Sequence, residues 1–161
     1  HQRARKLMSH QPAGLTLQTT ALVHEAWLRL CGNGQAPHGT SASLLKLASR
    51  AMRSVLVDHA RARGANKRGG AGLRLELDAS GVRVDAPTGE LIDLDDALKR
   101  LARLDEQAAL VSEMRLFGGL EHEDVARVLG VSTRTVERHW RFARAWITKT
   151  MSEDADSPHA D

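Results

Sequence analysis

Apolar residues recur at helical spacing along most of the chain, and sustained alternation is nearly absent. Spacings of three and four residues place apolar positions on one side of a helix, whereas a half-buried strand needs a spacing of two. Four segments show the helical spacing: 19–31, 44–63, 91–104 and 110–117. Two further helices are predicted after Gly118 and Gly119, on either side of Gly130. The pattern therefore predicts an all-α fold.

The segment between the second and third helices differs from the rest because glycine and proline interrupt it. Between residues 64 and 90, Leu73–Leu77 alternates briefly, as an edge strand does. Such a composition is typical of a linker. We therefore predict two small helical domains joined by a flexible linker, the second containing a helix-turn-helix. The predicted bounds are 1–63 for the N-terminal domain, 64–92 for the linker, 93–151 for the C-terminal domain and 152–161 for a polar tail.

The composition of the 161-residue chain is that of a globular protein, with 42% hydrophobic and 27% charged residues. Cys31 is the one cysteine of the sequence, which excludes an intramolecular disulfide and a cysteine-rich zinc site. No apolar run approaches the roughly 20 residues of a membrane span, and no signal-peptide core follows the first residues. These features predict a cytoplasmic protein without a membrane partner. Because the chain opens on His1 rather than methionine, we expect its native N-terminus to lie upstream.

The charges are distributed in blocks along the chain. Residues 1–75 carry 12 Lys and Arg against 2 Asp and Glu, residues 76–131 carry 6 against 13, and residues 132–150 carry 5 against 1. Lysine and arginine contacts to phosphate supply most of the non-specific affinity of proteins for nucleic acid. The two basic blocks therefore favour polyanion binding, with a simply solvated basic surface as the alternative.

A helix-turn-helix pattern occupies residues 121–145. Its apolar and small positions are Val125, Ala126, Leu129, Gly130, Val131 and Val136. Ser132 can cap the second helix, because its hydroxyl can accept hydrogen bonds from N–H groups of the first turn. We expect that helix to bury Val136, Trp140, Ala143 and Ile147 and to display Thr133, Arg134, Glu137, Arg138 and Arg141. Arginines on such a helix can bind guanine in the major groove. An ordinary helical hairpin is the alternative, although it does not account for the small residues at the helix contact.

The helix predicted over Leu44–Arg63 carries a second basic surface. Its apolar face is expected to contain Leu44, Ala48, Ala51, Met52, Val55 and His59. A basic stripe on another face consists of Lys46, Arg50, Arg53 and Arg61. This arrangement suits phosphate contacts.

The chain contains the beginnings of catalytic and metal-binding motifs, but none of them is complete. His24-Glu25 and His122-Glu123 each begin like the zinc-protease helix motif, but Leu28 and Ala126 stand where the second histidine is required. The glycines between residues 64 and 69 have phosphate-loop spacing, yet Gly70-Ala71 replaces the necessary lysine and hydroxyl residue. We therefore predict no catalytic residues, no metal site, no cofactor and no enzymatic activity.

The order of these segments resembles the extracytoplasmic-function (ECF) sigma factors, the small promoter-specificity subunits of bacterial RNA polymerase. The resemblance runs from about Leu7 to Thr148. Its motifs are TALVHEAWLRL at 20–30, RAMR at 50–53, VDHARAR at 57–63, KRGG at 67–70, LFGGL at 116–120 and the helix-turn-helix at 125–145. Several motifs in the right order make the resemblance specific.

The resemblance implies a role for each surface. Core RNA polymerase would contact Leu22, Val23, His24, Glu25 and Arg29. The promoter −10 element would meet Lys46, Arg50, Arg53, Asp58 and Arg61. The −35 element would meet Ser132, Thr133, Arg134, Glu137, Arg138 and Arg141. The implied partners are core RNA polymerase and promoter DNA, and whether an anti-sigma factor binds as well stays open.

This chain departs from the family pattern at a few positions. Ala21 and His24 stand where the family usually has an acid and a glutamine, and Leu44 and Leu45 stand where aromatic residues are frequent. The first helix of the family is expected to be absent. A stand-alone helix-turn-helix regulator that binds duplex DNA is the main alternative, and an RNA-binding adaptor is a third class.

Overall fold

The computed structural model describes residues 16–32, 38–65, 74–78, 81–85 and 88–156, with side chains in 23–32, 38–62 and 89–156. The helices are α1 (Thr16–Cys31), α2 (Ser41–Ala65), α3 (Thr88–Leu104), α4 (Glu106–Leu116), α5 (His122–Leu129) and α6 (Thr133–Asp156). Two short strands, β1 (Arg74–Asp78) and β2 (Gly81–Asp85), lie between α2 and α3. Because helices form the packed body of the described chain, the predicted all-α class is confirmed. None of the described helices is long and apolar enough to cross a bilayer.

Helices α1 and α2 pack against each other through small and branched side chains. Ala26 of α1 is buried against Ala51 and Val55 of α2. Helix α2 begins at Ser41 rather than at the predicted Leu44, because the Thr40 hydroxyl accepts a hydrogen bond from the Ser43 amide at 3.2 Å. Because Ala51 and Val55 are buried, the predicted apolar face of α2 is confirmed at its centre.

The prediction was wrong for the last position of that face. His59 is exposed, and its Nε2 lies 2.9 Å from Oε2 of Glu25 on α1. The apolar contact between the two helices ends before His59, and a polar contact replaces it. Helical spacing places a residue on a face but does not reveal where the apolar contact with the partner helix ends.

The linker contains an antiparallel hairpin. The strands pair in the register Arg74 with Asp85, Leu75 with Val84, Leu77 with Val82 and Asp78 with Gly81. The sequence predicted one brief strand near β1 and no partner for it. The partner was missed although Val82 and Val84 alternate with other residues, because the segment is only five residues long and lies among glycine and proline residues. The bounds of the predicted domains stay a prediction, although α3 already begins at Thr88, inside the predicted linker.

Helices α3 to α6 enclose one apolar core. Its completely buried side chains include Leu94, Leu98, Leu101, Val111, Met114, Val125, Val136, Ala143 and Ile147. Asp105 ends α3 and caps α4, since its side chain accepts a hydrogen bond from the Ala108 amide at 2.9 Å. The cap lets the chain reverse within one residue and bring α4 back along α3.

Helix α2 also joins this core. Leu56, Val57 and Ala60 are buried in the same cluster as the apolar residues of α3 to α6. Nearer the start of the same helix, Ser49 meets Gly118 after α4 so closely that a Cβ atom on this glycine would overlap the serine hydroxyl. The predicted N-terminal and C-terminal domains are therefore in direct contact through α2.

Candidate nucleic-acid interface

The turn between α5 and α6 fixes where α6 begins. Gly130 has a φ of 67°, in the left-handed region that favours glycine, and the Val131 amide donates to the Ala126 carbonyl oxygen at 3.1 Å. Ser132 then caps α6, because its hydroxyl accepts a hydrogen bond from the Thr135 amide at 3.2 Å. The expected roles of Gly130 and Ser132 are both observed.

The exposed side of α6 is strongly basic near its start. The core side of the helix buries Val136, Trp140, Ala143 and Ile147, as predicted, and also Thr150. The opposite side exposes Arg134, Glu137, Arg138 and Arg141, with Ser132 exposed before them and Thr133 partly buried. Within the described part of the chain, the three arginines on this surface make no ion pair with an acid. Their guanidinium groups are therefore available to an anionic ligand.

One residue of this surface was missed by sequence reasoning. Phe142 is 46% exposed beside Arg138 and Arg141. Large apolar side chains on a monomeric surface often mark contact sites. Its position two residues after Trp140 places it off the buried side of α6, and that spacing was the available signal.

Arg115, a buried residue of α4, stabilises the segment that precedes the helix pair α5 and α6. Nη1 of Arg115 donates to the Leu120 carbonyl oxygen at 2.8 Å and lies 3.1 Å from Oε2 of Glu121. These bonds hold the segment that leads from α4 into α5. Arg115 was also missed, because a single arginine between Met114 and Leu116 has the sequence appearance of a solvated position.

His122 begins α5 next to this arginine. Partial burial lowers the pKa of His122 below its usual 6.5, and the nearby Arg115 charge lowers it further, against the opposing effect of Glu137 and Glu123. Its Nε2 atom is buried without a hydrogen-bond partner in the described residues. The neutral imidazole is thus the form that this site favours.

The basic stripe of α2 has a different environment from that of α6. Arg50 is 74% exposed, with its Nε atom 3.7 Å from a Glu113 oxygen, and Lys46 is partly buried. Arg53 is only 16% exposed, and its Nε and Nη1 atoms lie 2.8 Å from carboxylate oxygens of Asp95 and Glu113. Of the predicted stripe residues, Arg53 is therefore largely covered by its ion pairs, whereas Arg50 is mostly exposed to water.

The remaining predicted residues of α2 also make ion pairs. Nη2 of Arg61 lies 3.4 Å from Oδ2 of Asp95. Asp58 is half exposed, and its Oδ2 atom lies 2.7 Å from Nη1 of Arg29. Burial raises the pKa of Asp95, but hydrogen bonds and charges from Lys99 and Arg53 outweigh it and hold that pKa below its usual 3.8. Asp95 is therefore a charged acceptor at neutral pH.

The candidate polymerase surface lies on α1. Glu25 is turned toward Arg29, at 3.1 Å, and toward His59 of α2, at 2.9 Å. Its hydrogen bond with His59 lowers the pKa of Glu25 below 4.5, and the charges of His59 and Arg29 add to that effect. Val23 is partly buried and His24 is exposed, whereas the side chain of Leu22 lies outside the described residues. Glu25 and Arg29 thus join α1 to α2.

Two apolar residues of α1 face outward. Trp27 is 51% exposed and Leu28 is 55% exposed. Trp27 is adjacent to the buried Ala26, but the described residues leave about half of its side chain uncovered. The motif at 67–70, the residues before 16 and the end of the polar tail lie outside the described residues.

Metal binding has no support in the described part of the chain. No three His, Cys, Asp or Glu side chains there lie close enough together to hold a metal ion. The chemistry that the described surfaces offer is cationic and apolar contact with a partner.

Comparison with protein families identifies the chain. The family model for ECF sigma factors matches residues 1–153. Neither the curated proteins nor the solved structures contain a significant match. Sigma factors of this family initiate transcription and are not enzymes. Because the match covers nearly the whole chain, the protein belongs to the ECF sigma factor family.

Proposed function

We propose that this protein is a promoter-specificity subunit that docks on core RNA polymerase through α1, reads the −35 element with α6 and engages the −10 element with α2. ECF sigma factors act with core RNA polymerase and promoter DNA, often together with anti-sigma factors. The observation that carries the proposal is the exposed surface of α6, where three arginines that have no acidic partner among the described residues follow a capped helix start.

The surface of α6 supports recognition of duplex DNA for geometric reasons. Arg134 and Arg138 are one helical turn apart and point to the same side. The start of a helix carries unpaired backbone N–H groups and a partial positive charge, which favour a phosphate near Ser132 and Thr133. Arginine can bind two guanine acceptors at once in the major groove. Sequence recognition is therefore assigned to Arg134, Glu137 and Arg138, and phosphate contact to Arg141.

Docking on the polymerase is assigned to the outer surface of α1. Trp27 and Leu28 supply exposed apolar area, and tryptophan is enriched among residues that contribute most to binding. His24 adds a polar group beside them. Glu25 and Arg29 act indirectly, because their bonds to His59 and Asp58 orient α1 on α2. In this proposal the apolar pair makes the contact and the charged pair positions the helix.

The basic stripe of α2 is assigned to the −10 element. Lysine and arginine contacts to phosphate offset the few kcal/mol that removal of a base from the stack costs. Catalysis of RNA synthesis belongs to the polymerase, so the protein itself supplies binding and positioning alone.

Run-off transcription with purified core RNA polymerase tests this function. The full chain is added to core enzyme with a library of genomic fragments, and new transcripts are mapped. Transcripts that start downstream of a shared −35 and −10 pair are the expected result. Binding of duplex DNA without affinity for core enzyme would favour a stand-alone regulator instead, and binding of single-stranded RNA without a duplex site would favour an RNA-binding adaptor.

A further inference from the structure

We propose that one buried water molecule binds between α4, α5 and α6, held by Nε of Arg115, Nε2 of His122 and Nε1 of Trp140. We call these three atoms the inner nitrogens. Each belongs to a different helix, and the second and third of these helices form the helix-turn-helix. The site is separate from the exposed surfaces assigned above to DNA and polymerase, and its ligand is a structural one.

The inner nitrogens are buried polar atoms that have no hydrogen-bond partner among the described residues. Arg115 is 5% exposed and Trp140 is 4% exposed. His122 is partly exposed as a whole, but its Nε2 atom is buried. Every atom of this kind that occurs among the described side chains belongs to this set. Because buried polar atoms of folded proteins are nearly always bonded to protein or to ordered water, three of them in one region indicate a shared ligand.

Arg115 places the other two residues beside each other. Its guanidinium carbon lies 5.3 Å from the centroid of the Trp140 ring. Nη1 of the same guanidinium lies 3.1 Å from Oε2 of Glu121, the residue directly before His122. Burial lowers the pKa of His122, and the Arg115 charge lowers it further, which places the imidazole close to that guanidinium. Both rings therefore neighbour one side chain.

The chemistry of the inner nitrogens fits water. Nε of arginine and Nε1 of tryptophan each carry a hydrogen and can only donate. The oxygen of one water has two lone pairs, so these two N–H groups fill it. The hydrogen atoms of that water then need an acceptor, which Nε2 of a neutral His122 supplies when its proton is on Nδ1. A metal ion does not fit, because two of the three nitrogens have no lone pair to offer it.

An anion such as chloride is the competing ligand, since it also accepts from N–H groups. It would need His122 to donate from Nε2 and would favour the charged imidazole, whereas burial and the Arg115 charge favour the neutral one. The charge of Arg115 is moreover already balanced by Glu121 at 3.1 Å. A neutral ligand that both accepts and donates is therefore favoured over an anion.

The water would connect the buried side of α6 to the two helices before it. Trp140 lies on that buried side, two residues after Arg138 of the exposed arginine surface. A bridging water is nearly as favourable in enthalpy as a direct hydrogen bond. We therefore expect it to orient α6, and this consequence, unlike the site itself, rests on the proposed function.

NMR spectroscopy of the ¹⁵N-labelled full chain detects the water directly. The indole N–H signals of the three tryptophans are assigned with Trp27→Phe, Trp140→Phe and Trp146→Phe. We expect a nuclear Overhauser effect between water and the Trp140 indole hydrogen, with the sign of a long-lived bound water, and slow exchange of that hydrogen with solvent. Trp27 is the control, because at 51% exposure its indole hydrogen should exchange quickly. A slowly exchanging Trp140 hydrogen without this effect would overturn the proposal.

The tautomer of His122 is a second direct test. Long-range ¹H–¹⁵N correlation at neutral pH shows which ring nitrogen carries the hydrogen. We expect Nδ1 to carry it and Nε2 to have the shift of a hydrogen-bonded acceptor, whereas the exposed His24 should show a mixture of tautomers. A hydrogen on Nε2 of His122 would refute the proposal, since three N–H groups cannot share one water oxygen.

Replacement of the salt distinguishes water from an anion. Sodium chloride is titrated against sodium sulfate at constant ionic strength while the Trp140 and His122 signals are recorded. We expect the two salts to leave both signals alike. A saturable shift with chloride alone would assign an anion to the site and refute the water.

Two conservative variants test whether one ligand is shared. Trp140→Phe removes the indole N–H and keeps an aromatic ring for Arg115, and His122→Phe removes the acceptor. Each should lower the folding equilibrium constant about fivefold, which is the effect of one hydrogen bond, and the double variant should lose much less than the product of the two. Trp146→Phe with His139→Phe is the control, because these partly buried residues stand two turns apart on α6 and should give independent effects. Independent effects at Trp140 and His122 as well would contradict a shared ligand.

Binding of a −35 duplex separates this inference from the proposed function. The duplex comes from a promoter that the wild-type holoenzyme transcribes, and His122→Phe should bind it several-fold more weakly than His139→Phe does. If the water signal is present but wild-type protein and core enzyme give no promoter-directed transcript, the proposed function fails and the water site stands. If transcription is directed correctly but the Trp140 hydrogen shows no bound water, the inference drawn here fails alone.

Discussion

The guanidinium of Arg115 lies over the indole ring of Trp140, 5.3 Å from the ring centroid. This contact connects α4 to the helix that carries the proposed −35 surface. Through the same guanidinium, Arg115 also holds the Leu120 carbonyl oxygen at 2.8 Å. One buried cation therefore fixes the approach of the chain to α5 and the position of α6.

Replacement of Arg115 is the first test of that arrangement. Arg115→Met keeps a long side chain but leaves the Leu120 carbonyl without its donor and removes the cation from the ring. We expect the free energy of unfolding to fall by about 2 to 3 kcal/mol, because a buried acceptor loses a charged partner. Urea unfolding followed by circular dichroism measures it.

Arg127→Met is the matched control, since Arg127 is largely exposed on α5 and pairs with Asp124 at 3.0 Å. Its loss should change stability by no more than about 0.5 kcal/mol. Equal destabilisation by the two replacements would show that Arg115 has no structural role beyond its charge.

The pH dependence of stability gives a second prediction through His122. Its pKa in the folded protein is below the usual 6.5 because of burial and the Arg115 charge. The unfolded chain therefore binds a proton more readily than the folded chain as the pH falls, so acidification favours unfolding. Stability contributed by the neutral imidazole is complete above pH 6.5 and declines as the pH drops through and below that value.

Urea unfolding of wild type and His122→Asn between pH 7.5 and pH 5 measures this effect. Wild type should lose stability across the range, and the variant should lose less. Asp95 and Glu25 also have lowered pKa values, but their losses begin only below pH 3.8 and pH 4.5. A variant that keeps the full wild-type slope would assign the slope to other groups.

The sequence predicted the helical parts of this molecule well because each helix has its own apolar periodicity. The buried side of α6 and the Ser132 cap are local features, and both were found where the spacing indicated. The environment of Arg53 is not local, since its acids stand 42 and 60 residues further along the chain. Spacing placed Arg53 on a basic stripe correctly but carried no information on which element would cover it.

The same limit applies to α1. Helical spacing places Trp27 next to Ala26 but does not indicate that the described chain leaves Trp27 half exposed. Arg115 was missed for the converse reason. Nothing in the sequence indicates that this arginine is buried against a backbone carbonyl group and an aromatic ring that come later in the chain. Both cases depend on tertiary packing, which one-dimensional periodicity does not contain.

A third prediction concerns docking on the polymerase. Trp27→Ser and Leu28→Ser each remove exposed apolar area from α1 and leave in place Ala26, which is buried against α2. Each should weaken binding to core RNA polymerase by tenfold or more, in line with about 1.4 kcal/mol or more per lost contact. Surface plasmon resonance with immobilised core enzyme measures the affinity.

Leu104→Ser is a suitable control, because Leu104 is also an exposed leucine but lies at the end of α3. It should leave binding to core enzyme unchanged. Undiminished affinity of both α1 variants would remove the outer surface of α1 from the interface. Glu25→Lys tests whether Glu25 contacts the polymerase directly. We expect this variant to act indirectly, because the new lysine would repel His59 and Arg29 and so destabilise the contact of α1 with α2. Measurement of unfolding alongside binding to core enzyme distinguishes the two effects.

A fourth prediction concerns proteolysis of the linker and the contact between the N-terminal and C-terminal halves. The glycine-rich composition of 64–89 predicts cleavage there by trypsin, at Lys67 or Arg68. Because α2 is packed into the core of the C-terminal half, the two fragments should stay together after the cut and elute as one species from a sizing column. Mass spectrometry identifies the cleavage site, and resistance of the whole segment would contradict the linker interpretation.

The last prediction separates base recognition from phosphate contact on α6. Arg138 lies one turn after Arg134 on the same side, near the start of the helix, whereas Arg141 lies nearly one turn further along, where a helix leaves the groove. Arg138→Ala should therefore cost about 1 to 3 kcal/mol on the cognate −35 sequence and relax the preference at one base pair, whereas Arg141→Ala should weaken all sequences alike and lower the salt slope by about 1. Binding of both variants to a randomised −35 duplex library at two salt concentrations distinguishes the roles. If the Arg138 variant keeps the wild-type sequence preference, Arg138 contacts phosphate and the base contact belongs to another residue of this surface.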